Sequence, residues 1–275
     1  MPDLMPLAVV PMRDTPPSES PSLRAWNRGQ PRAYEMKFLL SESRARDVET
    51  ILSRHLSLDP HADPALDNAY RTTTLYCDTP AFDVFHRVGR HARRKLRLRR
   101  YSESRQIFIE RKHKRGERVR KRRSVIDELE LPRFQSEGAD PAWPGRWFED
   151  LVVRHELRPA CRVHYLRTAY FGATAESPLR VTFDRDVRGL PTHDWNVDPF
   201  FGGSEVCVGE VICEFKFHGA MPGLMKSVVQ SQRLAPCGVS KYRRCLAAAG
   251  VMKMPKEGWG RPESVPFEQR GESDA

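Results

Sequence analysis

Segments in which hydrophobic and polar residues alternate dominate the middle of this chain, and alternation is typical of a β-strand with two unlike faces. Helical spacing of apolar residues, at intervals of three and four, recurs at 45–56, 147–157, 224–232 and 242–249. The alternating segments are 34–40, 70–77, 95–101, 107–112, 117–126, 162–171, 179–184 and 206–217. The pattern predicts an α+β protein of about eight strands with a few flanking helices.

Proline, serine, glycine and charge are concentrated at the two ends of the chain. Seven of the 22 prolines lie before residue 32, and residues 253–275 are again rich in Pro, Gly and charge. Segments of this composition bury too little apolar surface to fold, so we predict disordered arms over 1–31 and 253–275. No internal repeat or long linker divides the remainder, which predicts one folded domain over 32–252.

The overall composition constrains the class of protein. With 39% hydrophobic and 30% charged residues, the chain fits a globular protein and not a membrane bundle. No uncharged apolar run approaches the roughly 18 residues of a transmembrane helix. The six cysteines form no C-x-x-C pair, which favours free buried thiols in a reducing compartment. We therefore expect a cytoplasmic protein without a transmembrane segment, and the sequence leaves its oligomeric state open.

The net charge of +10 comes from one stretch of the chain. Between Arg87 and Arg123 there are 18 Lys and Arg residues against three Glu, so the rest of the chain is mildly acidic. A basic excess at one place indicates a polyanionic ligand.

The cations of the alternating segments fall on single faces. Lys95, Arg97 and Arg99 share one face of their segment, while Leu96 and Leu98 point the opposite way. The cations placed in this way are Lys37, Arg97, Arg99, Lys112, Lys121, Arg167, Arg180 and Lys216. If helices cover the apolar faces, these cations point into a closed antiparallel β-barrel.

An interior lined by like charges must hold water or a polyanion, because each unpaired buried cation costs several kcal/mol. The pattern therefore predicts a basic tunnel in which Arg forks and Lys charges bind the phosphates of a polyphosphate or a nucleoside triphosphate. Glu214, on the face of Lys216, is a candidate Mg²⁺ or Mn²⁺ ligand, although taken alone a structural ion pair is the simpler interpretation. The sequence contains no P-loop, kinase glycine-rich loop, H-E-x-x-H or G-x-S-x-G, which disfavours ordinary nucleotide-binding folds.

Nine short motifs follow one another in an order that resembles a known family. They are Y-E-M-K-F, T-L-Y-C-D-T, L-R-L-R-R-Y, I-F-I-E-R-K-H, G-E-R-V-R-K, H-Y-L-R-T-A-Y, L-R-V-T-F-D, C-E-F-K-F and V-S-K-Y. Over 34–246 the chain resembles the polyphosphate polymerase domain of the vacuolar transporter chaperone (VTC) family, within the CYTH-like triphosphate tunnel metalloenzyme superfamily.

This resemblance implies a phosphotransferase that moves the γ-phosphoryl group of ATP onto a growing inorganic polyphosphate chain with Mn²⁺ or Mg²⁺. ATP and polyphosphate are the implied partners. The implied catalytic residues are Lys37, Arg97, Arg99, Lys112, Arg167, Arg180 and Lys241. Lys121, Lys216 and Ser240 are implied as further phosphate ligands, and Glu214 as the metal ligand.

Two other functions stay open at this point. Hydrolytic CYTH proteins begin with Glu-x-Glu-x-Lys, whereas Ala33, Glu35 and Lys37 stand here, which favours polymerase over a triphosphatase that uses water as acceptor. A non-catalytic protein that binds polyphosphate or nucleic acid would also explain the basic run 111–123. Against this alternative, the cations of the run alternate with Ile, Phe and Leu on strands, and similar cations recur far along the chain at Arg167, Arg180 and Lys241. We therefore expect neither DNA nor RNA as the physiological ligand.

Overall fold

The computed structural model describes residues 33–115, 118–136, 140–173, 178–200 and 202–254. The predicted N-terminal arm, residues 1–31, and residues 255–275 of the predicted C-terminal arm lie outside these described residues. The strands are β1 (Ala33–Ser41), β2 (Ser57–Leu58), β3 (Tyr70–Asp78), β4 (Arg94–Tyr101), β5 (Gln106–Arg115), β6 (Arg118–Asp127), β7 (Arg158–Ala173), β8 (Pro178–Pro191), β9 (Ser204–Glu205) and β10 (Glu210–His218). The α-helices are α1 (Glu42–Ser53), α2 (Asp83–His86), α3 (Arg146–His155), α4 (Gly223–Ser231) and α5 (Lys241–Ala248), and short 3₁₀ helices span Pro64–Leu66, Gly89–His91 and Glu128–Gln135.

The strands form one antiparallel sheet with the order β1-β10-β8-β7-β3-β4-β5-β6. The short strands β2 and β9 pair with β7 and β8. The predicted α+β class is confirmed, and each of the eight predicted strands has a counterpart in this order. The last one begins at Glu210 instead of 206, because the chain turns between β9 and β10.

The sheet is strongly curled. β1 and β5 are six strand spacings apart in the strand order, which in a flat sheet is about 29 Å at about 4.8 Å per spacing. Nevertheless Lys112 Nζ lies 2.7 Å from both carboxylate oxygens of Glu35. The sheet must therefore curl until its two ends approach each other, which creates one concave face and one convex face.

Hydrogen bonds do not close this curl into a barrel. Among the described residues, β1 and β6 are the two ends of the strand order and do not pair. The physical reason lies at the outer edge of β1, where the Cys237 N–H donates to the Lys37 carbonyl oxygen at 2.8 Å. The segment before α5 thus occupies the edge of β1 with which β6 would have to pair to close a barrel. The prediction of a closed barrel is wrong in this respect.

Hydrophobic clusters cover the convex face of the sheet. Phe38, Phe183 and Phe215 are fully buried beneath α1 and α4, and Leu98 and Ile109 are fully buried in a second cluster that includes residues of α3 and α5. Each such side chain contributes about 1.5–3 kcal/mol through burial. Because alternate side chains of a strand point to opposite faces, this burial directs the polar set to the concave face.

The helix α5 approaches the sheet closely at one glycine. A Cβ atom at Gly189 would lie 2.3 Å from Cys245 Sγ, so only glycine allows α5 to lie against β8. This contact places Lys241, the first residue of α5, beside the strands.

Two further observations concern the cysteines and the helices. All six cysteines are free and five of them are buried, as the sequence predicted. Within the part of the chain that the structure describes, no helix is long and apolar enough to cross a membrane.

Candidate functional site

The concave face of the sheet carries charged side chains from seven strands and from α5. The cations on or beside it are Lys37, Lys95, Arg97, Arg99, Lys112, Lys121, Arg123, Arg167, Arg180, Lys216 and Lys241, and the carboxylates are Glu35, Asp59, Glu110, Asp184 and Glu214. Each of these carboxylates contacts at least one cation. Since the cations outnumber the carboxylates, the face retains a net positive charge.

Glu110 organises the cations of β4 and β6. Its carboxylate lies 2.7 Å from Arg97 Nε, 3.0 Å from Lys121 Nζ and 3.3 Å from Arg123 Nε. Burial alone would raise the pKa of Glu110, but Arg97, Arg99 and Lys121 hold this pKa far below its usual range. Glu110 is therefore ionised throughout the ordinary pH range and anchors three cations around one buried charge.

Asp184 holds two further cations in place. Arg167 donates from Nε and from a terminal nitrogen to its two carboxylate oxygens, at 2.6 and 2.8 Å. Lys241 Nζ contacts the same carboxylate and lies 4.5 Å from the centre of the Tyr165 ring. Asp184 is only 1% exposed, and against the opposing effect of burial these two cations lower its pKa. The bidentate geometry fixes the plane of the Arg167 guanidinium.

A third group joins the two ends of the sheet. Lys216 Nζ lies 2.6 Å from Glu214 and 3.8 Å from Glu35, while Lys37 Nζ lies 3.2 Å from Glu214. Burial opposes ionisation of both carboxyls, but Lys216 and its neighbours lower the pKa of Glu214 and bring that of Glu35 to about 2. Together with the contact between Lys112 and Glu35, these pairs connect β1 and β10 to β5 through side chains.

Arg99 has no carboxylate partner among the described residues. Its Nε donates to Thr74 Oγ1 at 3.1 Å and a terminal nitrogen donates to the Tyr101 hydroxyl at 3.4 Å. Burial would raise the pKa of Tyr101, but Arg99 and Arg123 lower it to about 7. Arg180, by contrast, donates to Asp59 at 3.2 Å and to the Tyr70 hydroxyl at 3.1 Å.

The structure brings ten of the eleven sequence-predicted site residues together around this face, in agreement with the alternation of their strands. The remaining one, Ser240, is the N-cap of α5, where its hydroxyl accepts from the Arg243 N–H at 3.4 Å. Its role as a phosphate ligand stays a prediction, as do the roles of the other ten.

Of the carboxylates of this face, sequence reasoning identified only Glu214 as a site residue. Glu110 and Asp184 lie on the same alternating faces as Lys112 and Arg180, so strand periodicity contained the signal for them. Arg123 follows from the same periodicity, two residues after Lys121. Asp59 lies in the loop after β2, where no periodic pattern indicates its position.

Other arginines of the basic run lie away from the concave face. The guanidinium carbons of Arg111 and Arg122 lie 5.9 and 4.6 Å from the centre of the Trp147 ring on α3. Arg100 contacts Glu128 and lies 3.1 Å from Asp198. The cations of the basic run are therefore divided between the two faces of the sheet, as the alternation of strand side chains requires.

Oxygen donors for a divalent cation meet at one place. The Lys216 ammonium lies between the carboxylates of Glu214 and Glu35, so negative charge converges there. Mg²⁺ is commonly held by one or two carboxylates and completed by substrate phosphates. Within the described ranges no group of three or more His, Cys, Asp or Glu could hold a metal ion by itself. The donor set thus fits a cation that is shared with a phosphate ligand.

Comparison with solved structures finds similar chains. One is a putative adenylate cyclase from Bacillus halodurans, with 12% identity, coverage of 75% of this chain and 92% of that chain, and a TM-score of 0.44. A putative adenylyl cyclase from Hippeastrum, described as having a dominant triphosphatase activity, has 17% identity, coverage of 82% and 99%, and a TM-score of 0.43. A putative adenylate cyclase from Vibrio parahaemolyticus has 12% identity, coverage of 80% and 100%, and a TM-score of 0.42.

No curated protein matches this chain. The model of the VTC domain, however, matches residues 32–249, a stretch that contains the whole curled sheet and every charged residue of its concave face. The chain belongs to the VTC domain family.

Proposed function

We propose that this protein is a polyphosphate polymerase that transfers the γ-phosphoryl group of ATP to the end of an inorganic polyphosphate chain held on its concave face. Membership of the VTC domain family supports a function in handling phosphoryl groups. The observation that carries the proposal is the convergence of eleven cations, contributed by seven strands and α5, on one face where five carboxylates are found among the described residues.

The ion pairs of this face explain how a phosphate chain would bind. Ion pairs such as Lys37 with Glu214 and Lys121 with Glu110 keep the cations of the free protein partly neutralised. Arg99, which has no carboxylate partner among the described residues, binds a phosphate oxygen without giving up a carboxylate contact. The cations that are paired with carboxylates exchange or share them with phosphate oxygens, and these charge-assisted hydrogen bonds are each worth about 1.5–3 kcal/mol.

Phosphoryl transfer on this face requires positioning and charge stabilisation more than a protein nucleophile. The terminal phosphate of the acceptor chain supplies the attacking oxygen. Arg97, Arg99 and Arg167, held by Glu110, Thr74 and Asp184, are oriented to neutralise charge on the transferred group. A Mg²⁺ or Mn²⁺ ion held by Glu214 and Glu35 would supply further neutralisation of the phosphates when bound.

The placement of the cations favours a single phosphate chain over a nucleic-acid duplex. Duplex binding uses basic residues on an exposed surface, whereas Arg99 and Arg167 are only 7% and 8% exposed inside the curl of the sheet. An unbranched chain of phosphates can lie along such a face and contact cations from many strands in turn.

The direct test is incubation of the purified protein with ATP and either Mn²⁺ or Mg²⁺, followed by ³¹P NMR. The expected result is the signal of internal phosphates of a chain, with release of one ADP for each phosphate added. Release of free phosphate without internal phosphate signals would identify a triphosphatase and overturn the polymerase assignment. Binding of tripolyphosphate without any turnover would identify a non-catalytic phosphate-binding protein.

A matched pair of variants separates metal binding from phosphate binding. Glu214→Gln removes a carboxylate and no cation, so we expect loss of turnover while tripolyphosphate binding persists or tightens as Lys37 and Lys216 are released. Glu205→Gln removes an exposed carboxylate that pairs with Arg188 away from the site, and serves as the control. Full activity of Glu214→Gln would contradict its assignment as the metal ligand.

A further inference from the structure

Three lysines lie side by side on adjacent strands of the concave face. Lys95 of β4 is the direct cross-strand partner of Lys112 of β5, and Lys112 is in turn the partner of Lys121 of β6. Side chains at such positions have Cβ atoms about 4.5–5.5 Å apart, and like charges directly opposite each other destabilise a sheet. A row of three ammonium groups therefore calls for compensating negative charge.

Two of these lysines find a carboxylate in the protein. Lys112 Nζ lies 2.7 Å from Glu35, and Lys121 Nζ lies 3.0 Å from Glu110. Among the described residues, Lys95 makes neither an ion pair nor a side-chain hydrogen bond. Its side chain is exposed, so it is accessible to a ligand.

The charges that act on Lys95 come from three strands and are mainly positive. The pKa of Lys95 is lowered first by Lys37 of β1, then by partial desolvation inside the curl of the sheet, and then by Lys112 of β5 and Arg97 of β4. Glu35 acts in the opposite direction, but its carboxylate is already shared by Lys112 and Lys216. Lys95 thus lies where the electrostatic potential favours an anion and disfavours a further proton.

We propose that Lys95 is a further phosphate ligand of the concave face, an inference that rests on the proposed function, and that it takes up a proton from solvent when a tripolyphosphate binds. A phosphate oxygen beside Lys95 reverses the local balance, because the attraction of the anion then outweighs the repulsion from Lys37 and Lys112. The bound anion favours the ammonium form of Lys95 over the neutral amine, so ligand binding and proton binding are linked at this residue.

The experiment is titration calorimetry of the full chain with tripolyphosphate at one mildly alkaline pH. Repeating the titration in two buffers that differ in ionisation enthalpy gives the number of protons exchanged on binding. Lys95→Met removes the amine, Lys95→Arg keeps the charge in a group that does not titrate, and Lys226→Met removes an exposed lysine of α4 as the matched control. Thermal unfolding verifies that each variant is folded.

The expected result has two parts. Lys95→Met binds tripolyphosphate about tenfold or more weakly than wild type, as for loss of one charge-assisted hydrogen bond, whereas Lys226→Met binds like wild type. Lys95→Arg retains most of the affinity but takes up fewer protons than wild type.

Two results would overturn the inference in distinguishable ways. If wild type binds tripolyphosphate and Lys95→Met matches Lys226→Met in affinity and in proton uptake, the role of Lys95 fails while the proposed function stands. If wild type itself binds no tripolyphosphate, the proposed function fails and the role of Lys95 fails with it.

Discussion

The buried carboxylate of Asp184 offers a stringent test of how this site is held together. Asp184→Asn replaces the charge that faces Arg167 and Lys241 with a neutral amide of nearly the same shape. The amide oxygen still accepts one hydrogen bond, but the amide nitrogen points a donor at a cation. Both cations remain in a region where the side chain of Asp184 is 1% exposed, so neither is readily solvated in the folded state.

The magnitude follows from burial. Removing one partner of a buried ion pair costs about 3–5 kcal/mol, because the other charge is left uncompensated. The exposed pair of Arg188 and Glu205, at 3.3 Å and with side chains 31% and 49% exposed, provides the comparison, since exposed pairs contribute about 0–1 kcal/mol. We therefore expect Asp184→Asn to lower the free energy of unfolding by about 3–5 kcal/mol and Glu205→Gln to change it by about 1 kcal/mol or less.

Urea unfolding followed by fluorescence or circular dichroism measures both values under identical conditions. The pH dependence gives a second test with a defined sign. The folded state depresses the pKa of Asp184, so its contribution is present above the usual aspartate range and is lost as the pH falls below it. Asp184→Asn should therefore lose less stability on acidification than wild type. A cost below about 1 kcal/mol at neutral pH would refute the view that Asp184 compensates two buried cations.

Three further changes test other parts of the fold. Glu35→Gln removes the carboxylate that links β1 to β5, so the amide hydrogens of β1 should exchange with solvent faster than in wild type, and unchanged exchange would contradict the link. Because the pKa of Glu35 is about 2, this difference from wild type should shrink as the pH falls from the usual glutamate range towards that value. Trp147→Ala removes a largely buried ring that lies 4.6 Å from the guanidinium of Arg122, and urea unfolding should show that the free energy of unfolding falls by about 3–5 kcal/mol. A decrease of less than about 1 kcal/mol would contradict this expectation. Tyr242→Phe removes the hydroxyl that donates to buried Asp78, and thermal unfolding should show that the free energy of unfolding falls by about 1.5–3 kcal/mol. An unchanged Tm would show that this hydrogen bond contributes nothing to stability.

Periodicity explains why so much of the concave face was predictable. Side chains of a strand alternate with a period of two, so Lys95, Arg97 and Arg99 share a face whatever the rest of the fold does. The apolar residues between them, such as Leu98, are buried on the other face. Given one buried face, the direction of the remaining side chains is fixed for every strand.

The features that could not be predicted depend on contacts between distant segments. Closure of the barrel depends on which segment pairs with the edge of β1. In this protein the N–H of Cys237 donates a backbone hydrogen bond to that edge, and no local sequence pattern indicates this contact. The partners of the cations depend on register between strands, which alternation alone leaves undefined. Thus Lys112 contacts Glu35, 77 positions away in the chain, and Arg167 contacts Asp184 as its cross-strand partner.

The unpaired end of the sheet gives the basic run a further physical role. An edge strand presents unused backbone N–H and C=O groups that can pair with a second copy of the chain, and charged side chains, lysine above all, oppose such pairing. β6 is an end strand of the described sheet, and Arg120, Lys121, Arg122 and Arg123 in it are exposed. Two copies that approached along this edge would bring these like charges together. The concentration of positive charge on β6 therefore protects the open sheet against edge-to-edge aggregation.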